Sequence, residues 1–358
     1  MEQILVFCRP GFETEAGRET TDSAAEKGIF GYFEPVKDQG LVRFYPAAPE
    51  TAEDVMARLM LEELVFIRDW IVVLGEFSLP ETDRVGAVIE GLRDLGRGYP
   101  GCARLEVRLP ENNADGDLGN FARKWVSPLS RGLRGAGLLK ADQNAQAPAR
   151  LEILLQDFSS AVVGFSLTDN RARYVGGIPR LRLPASAPSR SALKLEEAWK
   201  VFLPPEQELE YLGGGKKAAD LGAAPGGWTW QLVRQGMMVT AVDNGPMQAE
   251  LMASGQVEHV EADGYGWRPR RGIDWMVCDI VDQPRKTAKL AVTWLGEGLC
   301  RYTVFNLKLP MKKRYDEWLT CRDILVNGLS QAGIGFRLKA RHLYHDREEI
   351  TCFIERTG

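Results

Sequence analysis

The stretch Lys217 to Leu232, KAADLGAAPGGWTWQL, restricts the fold more than any other part of the chain, because a short apolar run passes into a helical run through a glycine-rich turn. Ala218 to Leu221 reads as a buried strand, and Trp228 to Val233 as the opening of a helix. The turn between them therefore lies at a strand's carboxyl end, where open α/β sheets bind ligands. Gly222 can take a positive φ to leave the strand, Pro225 sets the start of the helix, and Gly226 with Gly227 lets backbone amides come close to a ligand.

A nicotinamide fingerprint would read G-x-G-x-x-G and seat a pyrophosphate on the helix. This turn reads D-L-G-x-x-P-G-G instead. A second strand, Met237 to Val242, ends in Asp243, where a carboxylate can accept both ribose hydroxyls of a nucleoside. Strands Val257 to Ala262 and Ile273 to Cys278 end in Asp263 and Asp279. With Asp220 these make four carboxylates at successive strand ends, a pocket hostile to phosphate and suited to a cationic nucleoside such as S-adenosylmethionine. The plainer alternative is that aspartate favours the turns that follow strands.

The 358 residues, 44% hydrophobic and 26% charged, suit two or three globular domains. Glu2 follows the first Met, the run Ile4 to Cys8 is short, and no stretch approaches ~18 apolar residues, so neither a leader nor a membrane span is expected and a cytoplasmic location is. Six cysteines without a C-x-x-C pair and three histidines suggest neither a disulfide framework nor a metal site. A net charge of -4 means that a nucleic-acid partner would have to meet local basic patches.

In the first half, Ile4 to Cys8, Ile29 to Phe33, Leu41 to Tyr45 and Trp70 to Leu74 read as strands, with an amphipathic helix over Ala52 to Leu64. A second set follows: helix Thr82 to Leu95, strand Leu105 to Leu109, a helical stretch Leu118 to Gly135 that Pro128 would kink or split, and strands Arg150 to Leu155 and Ser159 to Leu167. Two compact α+β units without a nucleotide loop look like binding modules. Arg123, Lys124, Arg131, Arg134 and Lys140, with Phe121 and Trp125 among them, form either a solvated face or an RNA contact. The Pro/Ser/Arg-rich residues 173–188 read as a linker.

In the second half, a Ser hydroxyl of Ser189-Arg-Ser is expected to cap a helix carrying Leu193, Leu195, Ala198 and Trp199 at helical spacing. The helix Ala288 to Gly298 precedes a strand, Tyr302 to Leu309, in which Lys308 interrupts a run that should be buried. A lysine there needs a carboxylate, and Asp279 is the candidate. A helix over Asp316 to Ala332 and a hairpin of Phe336 to Leu343 with Glu349 to Glu355 complete a doubly wound domain. Lys194, Asp279, Lys308 and Glu349 are the polar residues that break apolar patterns near its carboxyl edge. Two amines and two carboxylates could hold a ribose and lower the pKa of one lysine, which could then deprotonate a hydroxyl; ordinary ion pairs at strand edges are the alternative.

Ser189-Arg-Ser-Ala-Leu-Lys194, Asp220-Leu-Gly-Ala-Ala-Pro-Gly-Gly-Trp-Thr, Cys278-Asp279-Ile, Asn306-Leu-Lys308-Leu-Pro and Arg347-Glu-Glu349-Ile together resemble the RrmJ/FtsJ-type ribose 2′-O-methyltransferases and their Lys-Asp-Lys-Glu tetrad. The start Cys8-Arg-Pro-Gly-Phe-Glu and the run Phe305-Asn-Leu-Lys-Leu-Pro-Met-Lys-Lys extend the likeness to a branch that acts on a cytidine ribose of 23S rRNA. The resemblance implies a ferredoxin-like subdomain over 1–78, a THUMP RNA-binding subdomain over 79–172, the linker 173–188 and a Rossmann-like methyltransferase domain over 189–358. It also implies that a monomer acts on 23S rRNA or an early large-subunit precursor.

By position, the resemblance makes Lys308 the proton acceptor, Asp279 and Glu349 its electrostatic partners and Lys194 the orienting second amine. Ser191, Gly222, Ala224, Pro225, Gly226, Gly227, Asp243 and Asp263 would hold S-adenosylmethionine, with Asp279 at the edge of both pockets. Glu348 competes with Glu349 for the last tetrad position; strand alternation from Ile350 favours Glu349. A methyltransferase acting on an RNA base is the competing reading. It lacks support, since no Asn/Asp-Pro-Pro-Tyr run follows the fourth strand and Cys278 lacks a Pro-Cys context.

Overall fold

A computed structural model describes residues 2–96, 98–110 and 116–357. It divides into two units, Met1–Gly177 and Ile178–Gly358. The first contains β1 (Ile4–Phe7), α1 (Glu13–Glu26), β2 (Gly31–Val36), β3 (Leu41–Pro46), α2 (Ala52–Arg58), β4 (Asp69–Ser78), α3 (Arg84–Asp94), β5 (Cys102–Arg108), α4 (Asp117–Gly135), β6 (Ala149–Leu155) and β7 (Ser160–Leu167). Its strands form one sheet in the order β2-β3-β1-β4-β7-β6-β5. β4 pairs antiparallel with β1, Ile4 opposite Val72, and with β7, Val72 opposite Phe165. The two sets of elements anticipated in this half therefore share a continuous sheet through β4.

Three local features depart from the pattern reading. Helix α1 has no apolar stripe; its buried face is made of Ala16, Gly17, Thr20 and Ala24 together with two glutamates. Those glutamates serve the loops: Glu13 accepts the Gly11 and Gly40 amides, and Glu19 accepts the Val65 and Phe66 amides at 2.7 and 2.8 Å. Helix α2 begins at a Thr51–Asp54 capping box but stops at Arg58 rather than reaching Leu64. Asn170 ends it by donating to the Met56 and Leu59 carbonyls and accepting from the Leu61 amide, so its last carbonyls are satisfied from outside. Helix α4 runs through Pro128 without a break.

The aromatic and basic residues of α4 divide into two kinds. Trp125 is buried and stacks on Phe121 at 5.5 Å. Arg134 donates to the Ala103 carbonyl and Lys140 to that of Gln146, which fastens the chain after the helix. Arg123 and Lys124 stay exposed.

The second unit contains α5 (Ala192–Phe202), α6 (Glu208–Leu212), β8 (Lys217–Leu221), α7 (Gly227–Arg234), β9 (Met238–Val242), α8 (Ala249–Met252), β10 (Val257–Val260), β11 (Ile273–Cys278), α9 (Pro284–Gly296), β12 (Cys300–Lys308), α10 (Arg314–Gln331), β13 (Phe336–Arg341) and β14 (Glu349–Arg356). The sheet order is β10-β9-β8-β11-β12-β14-β13. β8 to β12 are parallel, whereas β14 enters antiparallel between β12 and β13. This is the expected α/β sheet with a closing hairpin. The chain moves outward from β8 to β10, then returns to β11 and moves the other way, so the switch point lies between β8 and β11.

One face of the sheet is filled by aromatic rings. Trp275, Tyr302, Phe353, Trp199 and Tyr211 form a cluster with Trp275 and Tyr302 centroids 4.9 Å apart. Truncating a fully buried tryptophan such as Trp275 to alanine would cost about 3–5 kcal/mol.

Candidate active site

The glycine-rich turn leaves β8 at the switch point. Gly222 has φ 78°, and a Cβ there would come within 2.5 Å of Ile280 Cγ1. Gly226 has φ 116°, and its Cβ would come within 2.5 Å of Leu251 Cδ2. Gly227 opens α7, and a Cβ would fall on the Ser189 and Ser191 hydroxyls. Those serines bond each other at 2.6 Å; Ser191 stands at the N-cap of α5, but neither hydroxyl makes the expected capping hydrogen bond. Instead α7 holds α5: Trp228 Nε1 donates to the Ser191 carbonyl at 2.9 Å, and Gln231 Nε2 to the Ala192 carbonyl at 3.1 Å. Ser191 and Lys194 are thereby carried on a helix fixed to the turn.

The four aspartates are not equivalent. Asp220 lies within β8, is buried and accepts Thr229 Oγ1 at 2.7 Å, so it joins strand to helix rather than facing a ligand. Burial, with smaller contributions from Asp279 and Asp243, pushes its carboxyl up to about 7. Asp243 follows β9 and accepts the Ala224 amide at 3.0 Å and the Gly245 amide at 2.7 Å. Each of its oxygens keeps a lone pair for a further donor. Asp263 is exposed and accepts the Tyr265 amide, beginning a turn in which a Cβ on Gly264 would lie 3.5 Å from the Gly222 amide nitrogen. Asp279 follows β11.

Register brings the remaining four residues together. In the β12–β14 pair Lys308 lies opposite Glu349. Lys308 Nζ is bonded to Asp279 Oδ1 and lies 3.8 Å from Glu349 Oε1. Lys194 Nζ is bonded to Glu349 Oε1 and lies 3.6 Å from Asp279 Oδ2. Each carboxylate thus faces both amines, and all four side chains are 9–18% exposed. Glu348 points elsewhere, with Arg314 Nε at 2.8 Å, so Glu349 is the glutamate of the cluster.

Lys194 is not a lowered lysine. Burial disfavours the Lys194 ammonium, but Asp279 and Glu349 outweigh it and its pKa is raised. Burial would likewise raise Glu349, yet Lys308 and Lys194 hold it below the ordinary carboxylate value.

Behind the cluster is a layer that the motif reading missed. Asn306 Nδ2 donates to Asp279 Oδ1 at 2.8 Å, and Asn306 Oδ1 accepts Thr351 Oγ1 at 2.8 Å. Thr351 Oγ1 also lies 2.9 and 3.0 Å from the two oxygens of Asp346. Its single proton cannot serve both neighbours. Burial, with Glu349 adding, pushes the Asp346 carboxyl well up, which favours the protonated form that can donate to Thr351 while Thr351 donates to Asn306. The period of two was the available signal: Asn306 precedes Lys308, and Thr351 follows Glu349, by two residues on the same strand faces.

The donor set suits a cationic nucleoside. Carboxylates of Asp243, Asp263 and Asp279 surround a turn of small residues, with no lysine or arginine among the turn residues 222–227. Among the described residues no His/Cys/Asp/Glu group could hold a metal ion. The six cysteines are buried, and burial pushes the Cys278 thiol up to about 12.

Fold and site together define a methyltransferase of the FtsJ-like class, whose family model matches residues 187–290. The models for the RlmM ferredoxin-like domain and for the N-terminal region of ribosomal RNA large subunit methyltransferase M match residues 1–71 and 83–167. Proteins named ribosomal RNA large subunit methyltransferase M from Marinobacter nauticus, Stutzerimonas stutzeri and Azotobacter vinelandii are 69%, 45% and 46% identical to the chain. Each likeness covers 99% of this chain, and 99%, 100% and 98% of the respective relatives. The chain belongs to the ribosomal RNA large subunit methyltransferase M family.

Proposed function

We propose that the chain transfers a methyl group from S-adenosylmethionine to the ribose 2′-hydroxyl of a cytidine in 23S rRNA, with Lys308 accepting the hydroxyl proton. Family membership supports the rRNA substrate and the cofactor. The observation that carries the mechanism is the alternating square of Lys194, Asp279, Lys308 and Glu349 at the edge of the glycine turn. Bound S-adenosylmethionine would supply a methyl group activated by the adjacent sulfonium. Asp243 would accept its ribose hydroxyls, the amides of the 222–227 turn would face its amino-acid end, and Asp263 would border the nucleoside.

The chain's own work is on the acceptor. A 2′-hydroxyl is a weak nucleophile at neutral pH, so its proton must leave as the O–C bond forms. Lys308 takes that proton, and Asp279, already bonded to its Nζ, stabilises the resulting ammonium. Lys194, charged against Glu349, orients the ribose by donating to its oxygens and keeps the two carboxylates fixed. The balance is complete: the methyl goes to oxygen, the sulfonium becomes a thioether and the proton resides on Lys308.

Methylation of a base through a thiolate finds no group to perform it, because Cys278 is buried with a thiol held in its protonated form. The finer reading, a cytoplasmic monomer acting on 23S rRNA or an early precursor, with a ferredoxin-like segment to residue 78 and a THUMP segment over 79–172, accompanies this mechanism. Incubation with methyl-labelled S-adenosylmethionine and unmodified 23S rRNA, followed by digestion to nucleosides, tests it. Label in 2′-O-methylcytidine is the expected result, and label in a base-methylated nucleoside would overturn the lysine-base mechanism.

A further inference from the structure

The first unit contains a cavity of about 600 Å³ at one end of the β5–β6 pair, beside the loop 144–148. Arg104 from β5, Arg150 from β6 and Arg171 beyond β7 line it, and no carboxylate does. In a chain of net charge -4 this is a local concentration of positive charge.

Neutralisation of these arginines from within is incomplete. Arg150, 7% exposed, gives its Nε to Glu152 Oε1 at 2.8 Å, while its buried Nη2 has no acceptor. Glu152 is already engaged, since it accepts Arg108 Nε at 2.9 Å and Ser166 Oγ at 2.5 Å. Arg171 makes no ion pair among the described residues, and its Nε is buried without an acceptor. Burial first, then the neighbouring Arg150 charge, push the Arg171 guanidinium pKa down, and the carboxylates of Glu152 and Asp69 do not make up for it. Arg104 is exposed at the mouth and bonds the Gln143 carbonyl at 3.3 Å. Buried guanidinium N–H groups are costly when unpaired, and the planar fork of arginine matches the oxygens of a phosphate.

We propose that this cavity is a phosphate-binding site in which Arg104, Arg150 and Arg171 hold a backbone phosphate of the RNA substrate. The assignment of the phosphate to RNA rests on the proposed function. Amide side chains of Asn144 and Gln146 at the rim supply further donors to the same strand. The contact is to backbone and not to base, so it fixes where the RNA lies and contributes affinity in every sequence context.

The test uses the full-length chain and the double variant Arg104→Gln/Arg171→Gln, which leaves the buried Arg150–Glu152 pair intact. An unchanged thermal unfolding profile establishes that the variant is folded, the first unit included, where both substitutions lie. Affinity for unmodified 23S rRNA is measured by filter binding over a salt series. Expected is a loss of about tenfold at moderate salt, with the slope of log affinity against log salt falling by about 0.7–0.9 per phosphate released. KM for RNA should rise more than kcat falls. Inorganic phosphate, at constant ionic strength, should weaken RNA binding by the wild type and not by the variant. Unchanged RNA affinity and slope in the variant would overturn the proposal, and phosphate binding without any effect on RNA would assign the cavity to a small phosphate compound instead. A wild type that binds RNA through this site yet transfers no methyl group would refute the proposed function and leave the site standing.

Discussion

At the scale of single residues, Lys308 lies between Asp279 and Glu349, each of which also faces Lys194. Removing its amine takes away the proton acceptor without touching the glycine turn. Lys308→Ala should lower methyl transfer by about 10²–10⁴-fold, while S-adenosylmethionine affinity measured by equilibrium dialysis stays near the wild-type value. Thr351 links Asp346 to Asn306, which holds Asp279. Thr351→Val leaves Asn306 Oδ1 without its donor and Asp346 with the Leu343 amide alone, and should cost about 1–3 kcal/mol in urea unfolding together with turnover. Thr351→Ser should restore both; a fully active, fully stable valine variant would remove Thr351 from the chain of positioning bonds.

Asp220 makes a pH prediction whose sign follows from its raised carboxyl. The folded protein binds this proton up to about pH 7, the unfolded chain only to the ordinary aspartate value, so stability is full below about pH 4 and declines as pH rises through 7. Between pH 5 and pH 8 the wild type should lose about 3 kcal/mol relative to Asp220→Asn, whose amide oxygen can still accept Thr229. Parallel urea curves for the two proteins across that range would refute the assignment.

At the scale of elements, the β8–α7 turn and helix α5 act as one body because Trp228 and Gln231 reach from α7 to the carbonyls at the start of α5. Two glycines in this turn are required for different reasons. Gly226 sits at φ 116°, so Gly226→Ala should cost at least about 1–2 kcal/mol of stability through the backbone. Gly227 has helical φ and alanine suits it locally, but the added methyl meets the Ser189 and Ser191 hydroxyls. Gly227→Ala should therefore leave the melting temperature close to wild type and weaken S-adenosylmethionine binding by about tenfold, measured by calorimetry, through displacement of α5. The reverse ranking of the two variants would mean that α5 does not border the cofactor.

At the scale of the whole molecule, an acidic chain that acts on RNA must gather its affinity from local basic groups. Arg123 and Lys124 on α4 and Lys312 and Lys313 after β12 are exposed, whereas Arg314 is committed to Glu348 and drops out of the expected set. Reversing the charge of those four should reduce RNA affinity steeply at low salt. The salt slope should also shrink by about 0.7–0.9 for each phosphate that is no longer neutralised. Cofactor affinity should not change.

Local signals along the chain suffice for the second unit's sheet and its ligand-binding edge: short apolar strands, a turn whose glycines have few substitutes, and a lysine in a run that burial would otherwise exclude. Strand alternation likewise separates Glu349 from Glu348. The remainder came from tertiary structure. Helix α1 carries no apolar periodicity, since its buried glutamates answer amides distant in sequence, and α2 is cut short by Asn170 from beyond β7. Asp220, alike in pattern to Asp243 and Asp279, turned inward because Thr229 on the next helix offered it a donor. The incompletely paired arginines of the first unit and the Asp346–Thr351–Asn306 chain were equally hidden. Whether a charge is paired and whether a proton is shared depend on side chains that only the fold brings together, and no spacing along the chain records them.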